Sequence, residues 1–263
     1  MISILLSLWA CSNPATVNGK VLDIWDKPIA GAMIQVKDVV EKQTSGNDGS
    51  FTFTFDKETS AKLQDPNTDD TLRFRAGHND YIHDVEIMAY SIMADKDNPK
   101  EVVFHLYPKP NEKGFFGVGS SEYLSLNGET ITEFNAPLNK IYGLQKVGKV
   151  RFNDATPDFV YHSSLRPEEI KQIDLGLYKL EFKEKEDMTG LLGDAPVEID
   201  LWVANSKPIP FAIRTLDQEE MYVITFEKPL EKGVYAFSGQ YIEKDNKHIL
   251  PEELRVAYPF EIK

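Results

Sequence analysis

Hydrophobic and polar residues alternate along most of this chain with the two-residue period that is typical of β-strands. The clearest run contains Phe51, Phe53 and Phe55 separated by threonines, which would place three aromatic rings on one sheet face. A turn signal, Asp48-Gly49, precedes that run. Further runs predicted as strands cover 17–23, 33–36, 72–76, 102–106, 130–134, 149–152, 177–182, 197–203, 211–214, 221–226, 234–242 and 255–262.

Helical patterns are scarce, and the sequence offers one short helix candidate, at 166–173. Pro167 suits a first helical turn, and Glu168 and Glu169 suit the positive end of a helix. The segment 56–71 is expected to be a long acidic loop. A chain of 263 residues is long enough for two domains. The pattern therefore predicts an all-β fold with two β-sandwich domains in tandem.

An uncharged apolar run at 2–10 ends at the chain's single cysteine, Cys11. The run is too short to span a bilayer, which takes about 20 residues. Leu8-Trp9-Ala10-Cys11 resembles the lipobox of bacterial lipoproteins. The resemblance implies that 1–11 is a signal segment ending at a lipidated, palmitate-bearing Cys11, and Ser12 in the next position favours the outer membrane. The alternative is a buried N-terminal β-strand with an incidental cysteine.

The segment 12–107 contains the most regular motifs of the chain. They are Gly19-x-Val21-x-Asp23, Pro28-Ile29-x-Gly31-Ala32-x-Ile34-x-Val36 and Asp48-Gly49-x-Phe51-x-Phe53. This spacing resembles the carboxypeptidase regulatory-like domain, a small transthyretin-like β-sandwich. The resemblance implies a spacer or interaction module without peptidase activity, because function does not follow from the fold.

Two prolines, charged residues and a glycine mark 108–114 as a linker, and 115–263 as a second β-sandwich of unknown function. Leu230-x-x-Gly233-x-Tyr235 resembles the tyrosine corner of immunoglobulin-like sandwiches, in which a tyrosine hydroxyl bonds back to the backbone. The second domain is therefore expected to be Ig-like. Pro259 in the last predicted strand favours an edge position or a local irregularity for that strand.

Composition narrows the classes of partner. The chain has 42 acidic and 29 basic residues, a net charge of −13, and the excess is spread over both halves. An evenly acidic surface argues against nucleic-acid binding and against binding anionic lipid headgroups through a basic patch. A hydrophobic content of 41% supports a real core, and a single cysteine excludes an internal disulfide.

Residue patterns that would bind a metal or phosphate are weak throughout. Asp65-x-Asn67-x-Asp69 has the first spacing of a calcium loop but lacks the glycine and the closing glutamate. His78 and His83 would face opposite sides of a strand, which disfavours a shared metal. The glycines at 114, 117 and 119 lack the Lys-Ser or Lys-Thr pair of a phosphate loop. No metal or cofactor is expected.

Residue patterns that would catalyse hydrolysis are equally weak. His162-Ser163-Ser164 places a base beside hydroxyls, but neighbours on a strand point apart. The pairs Glu184/Glu186 and Glu252/Glu253 have the character of solvated charge.

Trp25 and Trp202 are the candidate ligand-stacking residues, with packing over the sandwich end as the alternative for Trp25. The expected function is that of a non-enzymatic, membrane-anchored module that binds or spaces in the cell envelope. Its partners would be the membrane, through the lipid, and an envelope protein or polysaccharide, with no nucleic acid. The alternatives are a carbohydrate-binding or adhesin-like surface protein, and an enzyme with an unrecognised site in 115–263.

Overall fold

A computed structural model of the chain describes residues 15–63, 71–89, 101–135, 140–170, 172–173, 175–183, 200–204, 207–216, 220–239 and 252–263. The chain divides into two compact units, Met1–Lys109 and Pro110–Lys263, called here the first and second domains. The division falls inside the segment 108–114 that the sequence indicates as a linker. Nearly all the regular secondary structure described in both units is β-strand, which confirms the all-β fold class of two β-sandwiches in tandem.

The first domain packs a three-stranded sheet, ordered β4-β1-β7, and a four-stranded sheet, ordered β3-β2-β5-β6. Its strands are β1 (Thr16–Asp23), β2 (Met33–Val36), β3 (Lys42–Thr44), β4 (Ser50–Thr54), β5 (Thr71–Gly77), β6 (Asp84–Ala89) and β7 (Val102–Leu106). Strands β1 and β7 are parallel, and the other pairs are antiparallel.

The alternating phenylalanines form the core of the first domain, as their spacing predicts. Phe51, Phe53 and Phe55 are all buried, and the threonines between them are exposed. Phe53 lies 4.9 Å from Phe55 between ring centroids and meets Phe74 of the other sheet edge-on at 6.4 Å. These contacts place the core between the two sheets.

A helix, Lys57–Leu63, lies in the segment expected to be a loop, so that expectation is wrong there. Asp56 caps it, because the Thr59 amide donates a 2.7 Å hydrogen bond to Asp56 Oδ1. The buried Ser60 hydroxyl accepts a 2.9 Å hydrogen bond from the Ala15 amide. The helix therefore holds the start of β1, a long-range contact that the local pattern does not contain.

The second domain packs a seven-stranded sheet, ordered β10-β11-β15-β14-β18-β19-β12, and a five-stranded sheet, ordered β16-β17-β13-β8-β9. Its strands are β8 (Gly114–Val118), β9 (Tyr123–Ser125), β10 (Ile131–Asn135), β11 (Lys140–Leu144), β12 (Arg151–Phe152), β13 (Phe159–His162), β14 (Gly176–Lys183), β15 (Leu201–Ala204), β16 (Ala212–Thr215), β17 (Met221–Thr225), β18 (Gly233–Ser238) and β19 (Tyr258–Ile262). A short helix, Pro167–Ile170, lies in the predicted helical segment, and a 3-10 turn covers Glu252–Leu254.

Aromatic rings from both sheets fill the second core. Phe237 of β18 stacks on Phe115 of β8 with centroids 4.7 Å apart. Phe237 also meets Phe159 of β13 edge-on at 5.0 Å, while Phe159 contacts Phe260 of β19 at 4.9 Å. All four residues are fully buried, so this cluster joins the two sheets.

Strand β19 lies inside its sheet between β18 and β12, and not at an edge. The Glu261 amide donates to the Val150 carbonyl on the β12 side. The backbone nitrogen of Pro259, two residues earlier, faces the same side but lies beyond the end of the two-residue strand β12. The absence of an N–H group there breaks no hydrogen bond to β12. The proline is tolerated because no ladder bond is required of it at that point.

Candidate functional site

The predicted lipidation site, Cys11, and the calcium-like spacing Asp65, Asn67 and Asp69 lie outside the described residues. Within the described part of the chain, no helix is long and apolar enough to cross a bilayer. The lipidation of Cys11 therefore stays a prediction.

Trp25 lies half-buried in the turn that follows β1. The buried Asp23 carboxylate shapes this turn, since the Trp25 and Lys27 amides donate to Asp23 Oδ1 at 2.8 and 2.9 Å. The Lys27 ammonium lies over the Trp25 ring, 5.4 Å from its centroid. One face of the indole is therefore covered by a cation of the same turn, which disfavours stacking of a ligand on that face.

Trp202 lies in a different setting, on β15 directly opposite Phe182 of β14. The two ring centroids are 5.3 Å apart, and Phe182 is 47% exposed while Trp202 is partly buried. Leu144 and Ile131 continue the row across β11 and β10, where both are buried. The row thus ends in an aromatic pair with one ring open to solvent. The sequence indicates Trp202 but not Phe182, because the pairing depends on strand register.

An open groove of about 420 Å³ lies beside the predicted tyrosine corner. That corner is confirmed, because the Tyr235 hydroxyl donates a 2.7 Å hydrogen bond to the Glu231 carbonyl. The groove is lined mainly by apolar residues of two loops, Phe211, Pro229 and Leu230 among them. Its volume falls within the range of small-ligand sites, about 300–1,000 Å³.

An exposed ion pair closes one side of the groove, where Lys179 Nζ donates a 2.6 Å hydrogen bond to Glu231 Oε2. The hydrogen bond to Glu231 raises the pKa of Lys179, and the same bond lowers the pKa of Glu231. Burial raises the pKa of Tyr235. All three groups therefore hold their hydrogen-bonding protonation states at neutral pH.

The structure separates His162 from the serines that follow it. His162 Nδ1 hydrogen bonds to the Glu112 carbonyl at 2.8 Å, and its Nε2 lies 3.9 Å from Glu220. The Ser163 hydroxyl instead donates to the Tyr161 hydroxyl at 2.9 Å. His162 and Ser163 thus bond to different partners, as expected of neighbours that point to opposite faces of a strand.

Glu253 from the 3-10 turn reaches Ser164, and no sequence motif links these two distant residues. The Ser164 amide donates to Glu253 Oε1 at 2.8 Å, and the Ser164 hydroxyl donates to the same oxygen. Burial raises the pKa of Glu253, but the hydrogen bonds from Ser164 outweigh it and the net shift is downward. Burial also raises the pKa of Tyr161 and Tyr258 beyond the ordinary tyrosine range. These hydrogen bonds connect residues 163–165 to the 3-10 turn, so we interpret them as stabilising the fold.

His78 and His83 do not share a site. His78 Nδ1 accepts a 3.2 Å hydrogen bond from the Asp80 amide, whereas Arg75 donates a 2.7 Å hydrogen bond to His83 Nδ1. Among the residues that the structure describes, no three His, Cys, Asp or Glu side chains are grouped closely enough to hold a metal ion.

Comparison with known proteins finds weak structural similarity and no sequence match. No protein-family model matches the chain, and no curated protein matches it. Among solved structures, the chain is similar to BcpA, the major pilin subunit of Bacillus cereus, at 12% identity, covering 95% of this chain and 68% of the pilin with a TM-score of 0.24. The D312A form of the same pilin matches at 13% identity over the same shares with a TM-score of 0.25. At these scores no property of the pilins transfers to this chain.

Proposed function

We propose that this chain is a lipoprotein of the cell envelope, anchored through a lipidated Cys11, whose two sandwiches act as a non-catalytic binding or spacer module. The observation that carries the proposal is the position of Cys11. It ends an apolar run and lies four residues before Ala15, where the first sandwich begins. Ser12 after the cysteine favours the outer membrane.

The first domain supports the resemblance to carboxypeptidase regulatory-like modules. A side chain at motif position Gly19 would overlap the Phe51 ring and the Val102 carbonyl. Gly49 has φ +75° and lies against the Val21 carbonyl. Both motif glycines thus have a packing reason inside a two-sheet domain, which supports a module of this kind as the spacer.

Metabolic labelling with a palmitate analogue tests the anchor. Wild type should be labelled and should sediment with membranes, whereas Cys11→Ala should lose the label and appear in the soluble fraction. Ser12→Ala is the matched control and should keep both properties. Label that survives Cys11→Ala would overturn the proposal.

A carbohydrate-binding or adhesin-like role is the second candidate, and the Trp202–Phe182 pair favours it. Aromatic rings exposed on a sheet can stack on sugar rings. Wild type, Trp202→Ala and Trp25→Ala should be compared on a glycan array and in pull-downs of cell-wall polysaccharide. Loss of at least tenfold in affinity for Trp202→Ala alone supports this role, since removing one buried contact of about 1.4 kcal/mol has that effect. Clean negatives for wild type in both assays would remove it.

A further inference from the structure

The outer face of the four-stranded sheet in the first domain differs in charge from the protein as a whole. One row across this face contains Lys42, Gln35, Arg75 and Val85, which are paired in register on β3, β2, β5 and β6. The next row pairs Arg73 with Ile87, and Lys37 lies beside Arg73, with its amide 2.9 Å from the Arg73 carbonyl oxygen. We call this surface the basic face.

Four cations occupy the basic face of a protein whose net charge is −13. No carboxylate shares it on the described strands, because Asp84 and Glu86 of β6 are in register with the inward-facing Ala76 and Phe74. The nearest carboxylates in sequence on β2 and β3 belong to the hairpin turn, at Asp38 and Glu41.

Three of the four cations of the basic face are not neutralised within the described residues. Lys37, Lys42 and Arg73 are exposed and form no ion pair there. Arg75 is held on the face by its 2.7 Å hydrogen bond to His83. The face is therefore a local positive field in an acidic molecule.

Exposed apolar side chains accompany these cations. Ile87 is 63% exposed, Met33 is 46% exposed, and Val40 in the hairpin turn is 89% exposed. Cations mixed with apolar side chains are the combination that binds anionic lipid interfaces, because the headgroups attract the charge and the acyl boundary receives the apolar groups.

The basic face reaches the end of the sandwich at which the chain enters. Val17 pairs with Phe53, Phe53 contacts Phe74, and Phe74 pairs with Val36, so these residues form one layer. Ala15 lies past this layer, directly before β1, and Arg73 and Lys37 lie one residue past it on the other sheet.

The direction of β2 relative to β1 follows from contacts at the opposite end of the sandwich. The Ile29 amide donates to the Val21 carbonyl, and the Ser45 hydroxyl joins the Ile29 carbonyl to the Ala32 amide directly before β2. The start of β2 is therefore at the Val21 end, and its finish, with Lys37, is at the Ala15 end.

The tether then limits how far this end can be from a membrane. Four Cα–Cα steps separate Cys11 from Ala15, a reach of at most about 14 Å. We propose that the basic face docks on a membrane surface of anionic phospholipids and orients the first domain there. This inference rests on the proposed anchor for its geometry, but the contact itself can be measured without the lipid.

Vesicle co-sedimentation of the full chain carrying Cys11→Ala tests the contact. Binding to phosphatidylcholine vesicles should be weak and should rise strongly when about a third of the lipid is phosphatidylglycerol. Each Lys or Arg near an anionic surface strengthens binding about fivefold, so Lys42→Glu with Arg73→Glu should weaken it about 30-fold or more. Salt at about 1 M should abolish the preference, since the Debye length falls to about 3 Å.

The matched control is Lys20→Glu with Lys27→Glu, which changes the net charge equally on the same domain but outside the basic face. This control should keep most of the preference. Equal binding to both vesicle types, or an equal loss in both double variants, would overturn the proposal. Binding to soluble polyglutamate without a preference for anionic vesicles would also overturn it, in favour of an acidic protein partner. Every protein in this experiment lacks Cys11, so a negative result would count against the membrane contact alone. The lipid anchor is tested separately by the labelling experiment.

Discussion

At the residue scale, Glu253 shows how a surface carboxylate becomes structural. Its side chain accepts hydrogen bonds from the Ser164 amide and hydroxyl, and its own carbonyl accepts a 2.7 Å bond from the Tyr258 hydroxyl. The turn that carries Glu253 is thereby tied to the loop after β13. The hydrogen bonds favour the ionised carboxylate, so the pKa of Glu253 lies below its ordinary value.

A carboxyl group with a lowered pKa stabilises the folded state above its unfolded pKa, and this contribution is lost as the pH falls through the folded pKa. Glu253→Gln should therefore lower the free energy of unfolding by about 1 kcal/mol at pH 7. This cost is small for hydrogen bonds to a charged group because the side chain is partly exposed to solvent. The difference from wild type should shrink between pH 7 and pH 3. Urea denaturation at both pH values measures it, with the exposed Glu112→Gln as control. An undiminished difference at low pH would contradict the assignment.

At the scale of elements, the tyrosine corner joins the loop before β18 to the strand itself. Its spacing is local, so the sequence predicts both the residue and its role. The structure adds that Lys179 of β14 pairs with Glu231 of the same loop, which the sequence cannot place. The loop is therefore held by one hydrogen bond from a largely buried hydroxyl and one exposed ion pair.

Tyr235→Phe should cost about 1–2 kcal/mol of unfolding free energy, because the Glu231 carbonyl loses its donor at the corner. Lys179→Met removes the exposed ion pair to the same residue and should cost less than about 1 kcal/mol. Chemical denaturation of the two variants compares them directly. An equal or larger cost for Lys179→Met would show that the hydroxyl is not the main tie.

At the scale of the whole molecule, the described residues form two hydrophobic cores that share no residue, and each core belongs to one compact unit. Each sandwich buries its own aromatic cluster, which is what an independently folding domain requires. We therefore propose that 12–107 and 115–263 unfold as separate units.

Two glycine variants test that independence by calorimetry. In Gly19→Ala the new methyl group would overlap Phe51, and in Gly117→Ala it would overlap Phe152 of the second core. Overpacking of this kind costs about 1–3 kcal/mol. Each variant should lower one of two thermal transitions by several degrees and leave the other in place. A common shift of both transitions in either variant would mean that the domains unfold together.

Features with local causes can be predicted from the order of the amino acids alone. Alternation at Phe51, Phe53 and Phe55 predicts buried strands because a strand has a fixed period of two, and the corner at Tyr235 follows from spacing within six residues. The lipobox-like segment ending at Cys11 is local in the same sense. The helix Lys57–Leu63 also has a local signal, the Asp56 cap, but the acidic composition of the segment obscured it.

Contacts between residues that are distant in the chain become visible in the folded structure and not in the sequence. Ser164 and Glu253 are 89 residues apart, and Phe182 meets Trp202 through strand register. Composition averages the charge to −13, whereas the order and register of four strands collect Lys42 and Arg73 on one face, where the described strands place no carboxylate. Register and strand order arise from packing over the whole domain, so no local pattern contains them.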